Sequence, residues 1–326
     1  MEATRTAFVT GGSGFIGGAL LRRLAQEGWR VRALARSDSS AAKVAESGAE
    51  PVRGDLEDAE AMRAGAQGCE LAFHAAASTA EWGPWEEFER ANVEGTKNTL
   101  EACRAAGVRR FVHVGSEAAL IAGEPLVMVN ETAPLRPDSK AHYCASKALA
   151  ERAVREAGGD GFETVVVRPR FVWGEGDTTV LPVLVEMVRR GRFSWIGGGR
   201  HRTSTTHVDN AVEGLLVGAE RGRPGEAYFV TDGEPVVFRD FITRLLATQG
   251  VEAPAKSLPA PVARAGAVVC EGLWRTLRLR GTPPLSRTPV WLSSLEATID
   301  ISKARSELGY EPRVSIDEGL KRLRAA

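Results

Sequence analysis

Histidine and cysteine are scarce in this chain of 326 residues, net charge is absent, and each shortage removes a class of protein. The five histidines are dispersed, so a metal centre is not expected. The four cysteines, Cys69, Cys103, Cys144 and Cys270, lack the spacing of a metal site or a disulfide framework, and they read as reduced packing residues of a cytoplasmic protein. Forty-two basic residues balance 42 acidic ones, so no overall field favours nucleic acid or an anionic membrane. No basic-then-apolar leader precedes Phe8, and no run of about 18 apolar residues occurs, which argues against export or a membrane span. Internal repeats, low-complexity tracts and a clean linker are also missing.

What is present is alternation. "TAFVT" leads into "GGALLRRLAQEG", "WRVRALAR" into "SSAAKVAESG", and "ELAFHAA" is followed by "VEGTKNTLEACRAAG", "RRFVHVGS" and "ETVVVRPR". Near-continuous apolar strands separated by helical stripes imply a parallel sheet covered on both faces. The expected fold is α/β: a Rossmann-type, doubly wound parallel sheet with a smaller, interleaved C-terminal substrate lobe. Composition shifts after about Gly174, which places the sheet domain at 1–175, a returning segment around 205–232, and most of the lobe within 176–326.

Directly after the first strand, "TGGSGFIGG" puts five glycines into nine residues and then opens a helix. Gly11, Gly14 and Gly17 allow a pyrophosphate to approach the backbone, and the helix N-terminus supplies free N–H groups and a positive dipole end. Ser13, Phe15 and Ile16 belong to the same turn. A dinucleotide site is expected here. At the end of the second strand, Arg36 and Ser37 stand where a 2′-phosphate would lie, which favours NADP(H) and leaves NAD(H) open; the plainer reading of Arg36 is a solvated loop charge. Asp38 is expected in the loop beyond. Asp55 can accept from an adenine amino group while the Leu56 amide donates, and Asp58 reads as a helix cap.

Tyr143 and Lys147 in "HYCASKALAE" share a helical face at i, i+4, a spacing that lets an ammonium favour the ionised phenol. Such pairs also arise by chance. Ser116 ends the strand "FVHVGS" at the sheet edge, where it can bond a reacting oxygen or simply cap a turn. Asn92 takes a supporting part, since such an amide more often satisfies backbone groups.

Together, the glycine pattern, Asp55, "HAAA" at 74–77, "NVEGT" at 92–96, Ser116, the Tyr143–Lys147 pair and "RPRFVWGEGD" from Arg168 resemble an extended short-chain dehydrogenase/reductase over nearly the whole chain. Within that superfamily, "RPRFVWGEGD", "STTHVDNA", "EGLWRTLRLRGTPPLSR" and "LGYEPRVSIDEGLKRL" resemble the 3β-hydroxysteroid dehydrogenase/isomerase branch. The resemblance implies that Tyr143 is the general acid/base, that Lys147 holds the nicotinamide ribose and lowers the Tyr143 pKa, and that Ser116 orients the substrate oxygen. It also places Ala75, Ala76, Ala77, Asn92, Pro169, Phe171 and Val172 around the cofactor. Glu117 departs from the commonest pattern beside Ser116 and leaves an opening for a second acid and dehydration chemistry.

On the substrate side, Phe171 occupies the position of an asparagine used by sugar-nucleotide enzymes, which counts against an epimerase or dehydratase. Arg170, Arg189, Arg190 and Arg202 could still meet phosphates, and Arg170 or Arg202 a carboxylate. In "PAPVARAGAVVCEGLWRTLRLRG", the apolar side chains Val262, Val269, Leu273, Trp274 and Leu277 suggest packing first, a lid second, and membrane-surface anchoring through Arg275, Arg278 and Arg280 third. The leading expectation is an NADP(H)-preferring oxidoreductase acting on a small apolar hydroxy or keto substrate: a 3β-hydroxysteroid, a sterol carboxylate, or a long-chain β-hydroxy or β-keto acid. A sugar-nucleotide enzyme ranks second and a non-catalytic dinucleotide sensor last. A homodimer fits this class.

Overall fold

The computed structural model describes residues 5–325. β1 (Thr6–Thr10) runs into α1 (Phe15–Gln26), β2 (Arg30–Ala35) into α2 (Asp38–Glu46), and β3 (Glu50–Arg53) into α3 (Ala59–Ala66). β4 (Leu71–His74) continues through the short α4 (Trp85–Phe88) and a π-helical turn, Glu89–Glu94, into α5 (Gly95–Ala105). β5 (Arg110–Val114), β6 (Leu126–Val129), α6 (His142–Glu156) and β7 (Glu163–Pro169) follow. Later strands are shorter; β8 (Val172–Trp173), α7 (Leu181–Arg189), β9 (Trp195–Ile196), β10 (Arg202–Thr203), β11 (Thr206–His207), α8 (Val208–Arg221), β12 (Ala227–Val230) and β13 (Val236–Val237) follow in order. The chain closes with α9 (Phe238–Ala247), β14 (Ser257–Leu258), α10 (Ala260–Thr276), α11 (Arg287–Ser294), β15 (Ala297–Ile299) and α12 (Ile316–Ala325).

Seven strands form one sheet in the order β12-β7-β5-β4-β1-β2-β3, and every pairing in it is parallel. The pattern of β1 shows why. Ala7 and Val9 enter one apolar cluster with Leu20, Leu21 and Leu24, while Phe8 enters another with Met62, Leu100 and Phe111. A strand apolar on both faces is stable only with helices on both, each buried Val, Leu or Phe contributing about 1.5–3 kcal/mol. The expected doubly wound sheet is therefore what the chain builds. Strand order reverses between β1 and β4, so the ligand crevice of this architecture opens at the C-terminal ends of those two strands.

The smaller lobe has its own sheet, β13-β10-β15-β6, and an aromatic core containing Trp173, Trp195, Phe238 and Phe241. It is joined to the large sheet at Asp232, just after β12. The Asp232 carboxylate accepts from Trp173 Nε1 (2.8 Å), Thr205 Oγ1 (2.8 Å), the His207 amide (2.6 Å) and Asn210 Nδ2 (2.7 Å). Among the described residues no helix is long and apolar enough to cross a membrane.

Candidate active site

The glycine turn separates two reasons for lacking a side chain. Gly11 has φ +75°, and a Cβ there would come within 2.5 Å of the Ala75 carbonyl carbon; a Cβ on Gly17 would lie 2.1 Å from the Gly11 oxygen. The chain itself therefore demands those two glycines, to let α1 and the loop after β4 approach β1. Gly14 differs, because its Cβ would meet only the Gly11 oxygen, at 3.3 Å. Gly14 is the N-cap of α1, no side chain caps that helix, and its first turn holds no acidic residue. By contrast, α2 and α3 are capped by Ser37 and Asp58. An uncapped, exposed helix start with bare first-turn amides suits a pyrophosphate. Ser13, Phe15 and Ile16 are partly exposed around it, and Ala75, Ala76 and Ala77 follow β4 on the opposite side of the crevice.

Along the rim, Arg36 is exposed at the end of β2 and has no carboxylate partner among the described residues. Ser37 is less free than expected: its hydroxyl accepts from the Ser40 amide at 3.2 Å in a capping box. Asp38 is not in a loop; it opens α2 and pairs with Arg53 at 3.3 Å. Asp55 is exposed, with one oxygen taking the Glu57 amide at 2.9 Å, and the Leu56 carbonyl accepts from Asn98 Nδ2 at 2.8 Å.

The reacting groups meet where β5 ends against α6. Ser116 follows β5 and lies beside Tyr143, in the first turn of α6, where its hydroxyl favours the ionised phenol. One turn on, Lys147 is buried and its Nζ donates to the Val114 carbonyl at 2.9 Å. The expected lowering of the Tyr143 pKa by Lys147 is not found. Burial pushes the half-buried phenol up, Glu117 and Cys144 push the same way, and only the Ser116 contact opposes them. Burial also pulls the Lys147 ammonium down to about 8, against the attraction of Glu151 and Glu117. The phenol is thus held as a proton donor.

Asn92 lies in the π-helical turn, and its whole amide is engaged within the protein. Oδ1 accepts from the Ser78 amide (2.7 Å), and Nδ2 donates to the Ser78 carbonyl (3.1 Å) and to Ser146 Oγ (2.9 Å). It ties the loop after Ala77 to α6, so its contribution to a cofactor site is positional. Beneath it, Thr96 donates to the Asn92 carbonyl, which leaves His74 donating from Nε2 to Thr96 and accepting from Thr10 at Nδ1. Burial, assisted by Lys147, takes His74 down to about 3, and the ring stays neutral.

A profile of the 3-beta hydroxysteroid dehydrogenase/isomerase family matches residues 8–260. The chain belongs to that family. Full-length relatives agree. A 4-hydroxy-2-methyl-3-oxo-4-farnesyl-3,4-dihydroquinoline-1-oxide ketoreductase from Stigmatella aurantiaca is 50% identical over 98% of this chain and 96% of its own length. A 2-alkyl-3-oxoalkanoate reductase from Stenotrophomonas maltophilia is 38% identical over 98% of both chains. In fold, the chain is similar to a dTDP-glucose 4,6-dehydratase from Streptomyces venezuelae solved with NAD bound, at a TM-score of 0.77 and 24% identity over 98% of this chain and 95% of that one. The protein is an NAD(P)-dependent oxidoreductase of the extended short-chain dehydrogenase/reductase type.

For a dehydrogenase/isomerase family member, two placements correct expectations. Arg170 is not a substrate-binding arm. It is buried, with Nη1 on Glu117 (2.5 Å), Nη2 on Thr203 Oγ1 (2.8 Å) and Nε on the Ala297 carbonyl (3.0 Å). Glu117 is consequently no free second acid, since its other oxygen accepts from Ser116 Oγ at 2.8 Å. Phe171, between Pro169 and Val172, is partly exposed and packs edge-on against Phe238 and Phe241 at 6.3 and 5.9 Å, with a left-handed φ of +42°. The second correction concerns α10, where Val262, Val269, Leu273 and Leu277 face outward and Trp274 alone of the expected packing residues is partly buried. Sequence reading also missed Glu151, which pairs with Arg168 in full burial. The signal was present: Tyr143, Lys147 and Glu151 recur every four residues on one face of α6.

Proposed function

We propose that the protein is an NADP(H)-preferring ketoreductase for a lipophilic ketone, a 3-oxo compound carrying a long isoprenoid or alkyl chain. The observation that carries the reading is the convergence of Ser116, Tyr143 and Lys147 where β5 ends against α6, and burial acts to keep the phenol in the protonated state a reductase needs. Two relatives named as reductases of oxo compounds with farnesyl or alkyl substituents support the direction and the substrate class.

Tyr143 and Ser116 hold the carbonyl oxygen between two hydroxyl groups. As charge builds on that oxygen, Tyr143 releases its proton to it, and the Ser116 hydroxyl, the one neighbour that favours the ionised phenol, steadies the phenolate that remains. The dinucleotide supplies the hydride when bound. Gly11, Gly14 and the first turn of α1 would hold its pyrophosphate, Lys147 its nicotinamide ribose and Arg36 a 2′-phosphate. The sealed Glu117–Arg170 pair gives no support to dehydration.

The test is oxidation of NADPH and NADH by the purified protein with an alkyl or farnesyl 3-oxo compound. Ketone-dependent oxidation is expected, faster with NADPH. Arg36→Ala should weaken NADPH affinity by about 10- to 100-fold, the worth of a charge-assisted contact, and leave NADH unchanged. Equal use of the two cofactors by the wild type would refute the preference, and turnover of a nucleotide sugar alone would refute the substrate class.

A further inference from the structure

Helix α10 turns a narrow stripe of small residues inward and presents its valines and Leu273 outward, with Trp274 partly buried. Ala263, Ala267 and Glu271, spaced by four, form the inward stripe, with Ile196, Leu258 and Leu285 packed against it. Val262, Val269 and Leu273, at i, i+7 and i+11, form an outward stripe that Val268, Leu277 and Leu279 extend; all six are between 44% and 62% exposed. Large apolar side chains grouped in this way mark a contact surface rather than scattered exposure.

Charge identifies what the surface meets. From Ala260 to Ser294 the sole acidic residue is Glu271, and it is turned inward onto Arg287, taking both its amide and its Nη1 at 2.6 Å. Arg264, Arg278 and Arg280 are exposed and have no carboxylate partner among the described residues. In a two-fold contact between copies, each patch faces itself, so these arginines would confront arginines with no acid to pair them. An anionic surface has the complementary charge. Position adds a functional link: Arg275 lies over the Trp82 ring (5.3 Å) and contacts His142 Nε2 (3.2 Å), the residue preceding Tyr143. The C-terminal end of α10 therefore borders the start of the catalytic helix.

We propose that the outer face of α10 docks on an anionic lipid surface, with its valines and leucines at the acyl boundary and its arginines among the headgroups, so that a lipophilic ketone reaches the cleft from the bilayer. The delivery half of this statement rests on the ketoreductase reading; the docking half does not. Overall charge is zero, so the attraction is local to this face.

The experiment is sedimentation of the full chain with phosphatidylcholine vesicles, with and without phosphatidylglycerol. Binding should appear with the anionic lipid and weaken as salt is raised. Arg278→Ala with Arg280→Ala should lower it by about tenfold or more, at roughly fivefold per arginine near the surface. Val269→Asp with Leu273→Asp should abolish it. Both variants should keep the wild-type melting temperature and the turnover of a detergent-dispersed ketone. Failure of the wild type to bind, or equal binding by wild type and the arginine variant, overturns the proposal. So does a wild-type dimer that Val269→Asp with Leu273→Asp splits, which would assign the face to a second copy. Sedimentation needs no turnover, so loss of the ketoreductase reading leaves this result legible.

Discussion

The sheet half of the molecule and the junction with the smaller lobe each bury one arginine–glutamate pair, and the arginines stand only two residues apart. Arg168 belongs to β7 and grips Glu151 of α6 with both side chains fully buried, its guanidinium also lying 4.9 Å from the Phe229 ring. Arg170, just beyond the strand, turns to Glu117 and to the lobe strands through Thr203 and Ala297. The first pair, joined only by Arg155 of the same helix at 4.0 Å, stays within the sheet domain and fastens the catalytic helix to the sheet. The second ends at Ser116 and so connects the lobe to the reacting oxygen. Similar chemistry thus serves stability in one place and orientation in the other.

The largest effect expected from breaking this comparison is on stability. Arg168→Met leaves the buried Glu151 charge with only the more distant, partly exposed Arg155 (4.0 Å), which should cost about 3 kcal/mol in urea unfolding. Adding Glu151→Leu should recover most of the loss, because a well-packed apolar pair replaces a buried ionic one at little cost. If the double variant is no more stable than the single one, the pair is not a self-contained fastening. Next in size, Tyr143→Phe removes the proton donor while the ring still packs. Turnover should fall about 100-fold or more with cofactor affinity nearly unchanged. A loss of only a few fold would remove Tyr143 from the chemistry.

Between these pairs lies Lys147, whose ammonium burial pulls down to about 8 from its usual 10.5. A depressed basic group binds its proton in the unfolded chain before it does in the folded one. Its contribution to stability is therefore present above 10.5 and lost as pH falls towards 8. Tyr143 acts in the opposite sense above 10, as do the buried thiols Cys103 and Cys144 above about 9, so the wild-type curve mixes signs. Subtracting Lys147→Met isolates the lysine. The stability difference between the two proteins should change by about 2 kcal/mol from pH 8 to pH 10, the wild type gaining. A flat difference would mean that the lysine keeps its ordinary pKa.

The same contrast between regions explains what could be read from the sequence. Strand and helix order was legible because β1, β4, β5 and β7 are short apolar runs whose two faces both need cover, and because the turn between β1 and α1 demands particular backbone geometry at Gly11 and Gly17. The lobe was not. Its strands β8 to β11 are two residues each and carry no periodicity. The Arg170–Glu117 contact depends on where a side chain turns after a strand has ended, which no local pattern encodes. In α10 the amphipathic stripe was visible, but the inward side follows from close packing at Ala263 and Ala267 rather than from hydrophobicity. Glu117 illustrates the limit well: as a letter beside Ser116 it suggested a free acid, and only the fold shows it held by the Arg170 guanidinium.

The smallest effect expected is also the one that separates orientation from stability at Ser116. Glu117→Gln keeps the shape of the side chain, removes its charge, and weakens the acceptor that aims the Ser116 hydroxyl. Exchange of a charge-assisted hydrogen bond for a neutral one corresponds to about a five- to tenfold fall in kcat, with KM for the ketone little changed if binding is governed by the apolar chain. A merely structural glutamate could lower kcat too, by loosening the site. The pH profile distinguishes them. Glu117 is one of the groups that push the Tyr143 phenol upward, so removing its charge should favour the phenolate. Reduction needs the protonated phenol, and the alkaline limb of kcat should therefore move to lower pH in Glu117→Gln, whereas Glu151→Gln, at the pair that stays within the sheet domain, should leave that limb in place. A Glu117→Gln enzyme slower than wild type at every pH by one constant factor would reduce Glu117 to a second fastening like Glu151 and erase the distinction between the two pairs.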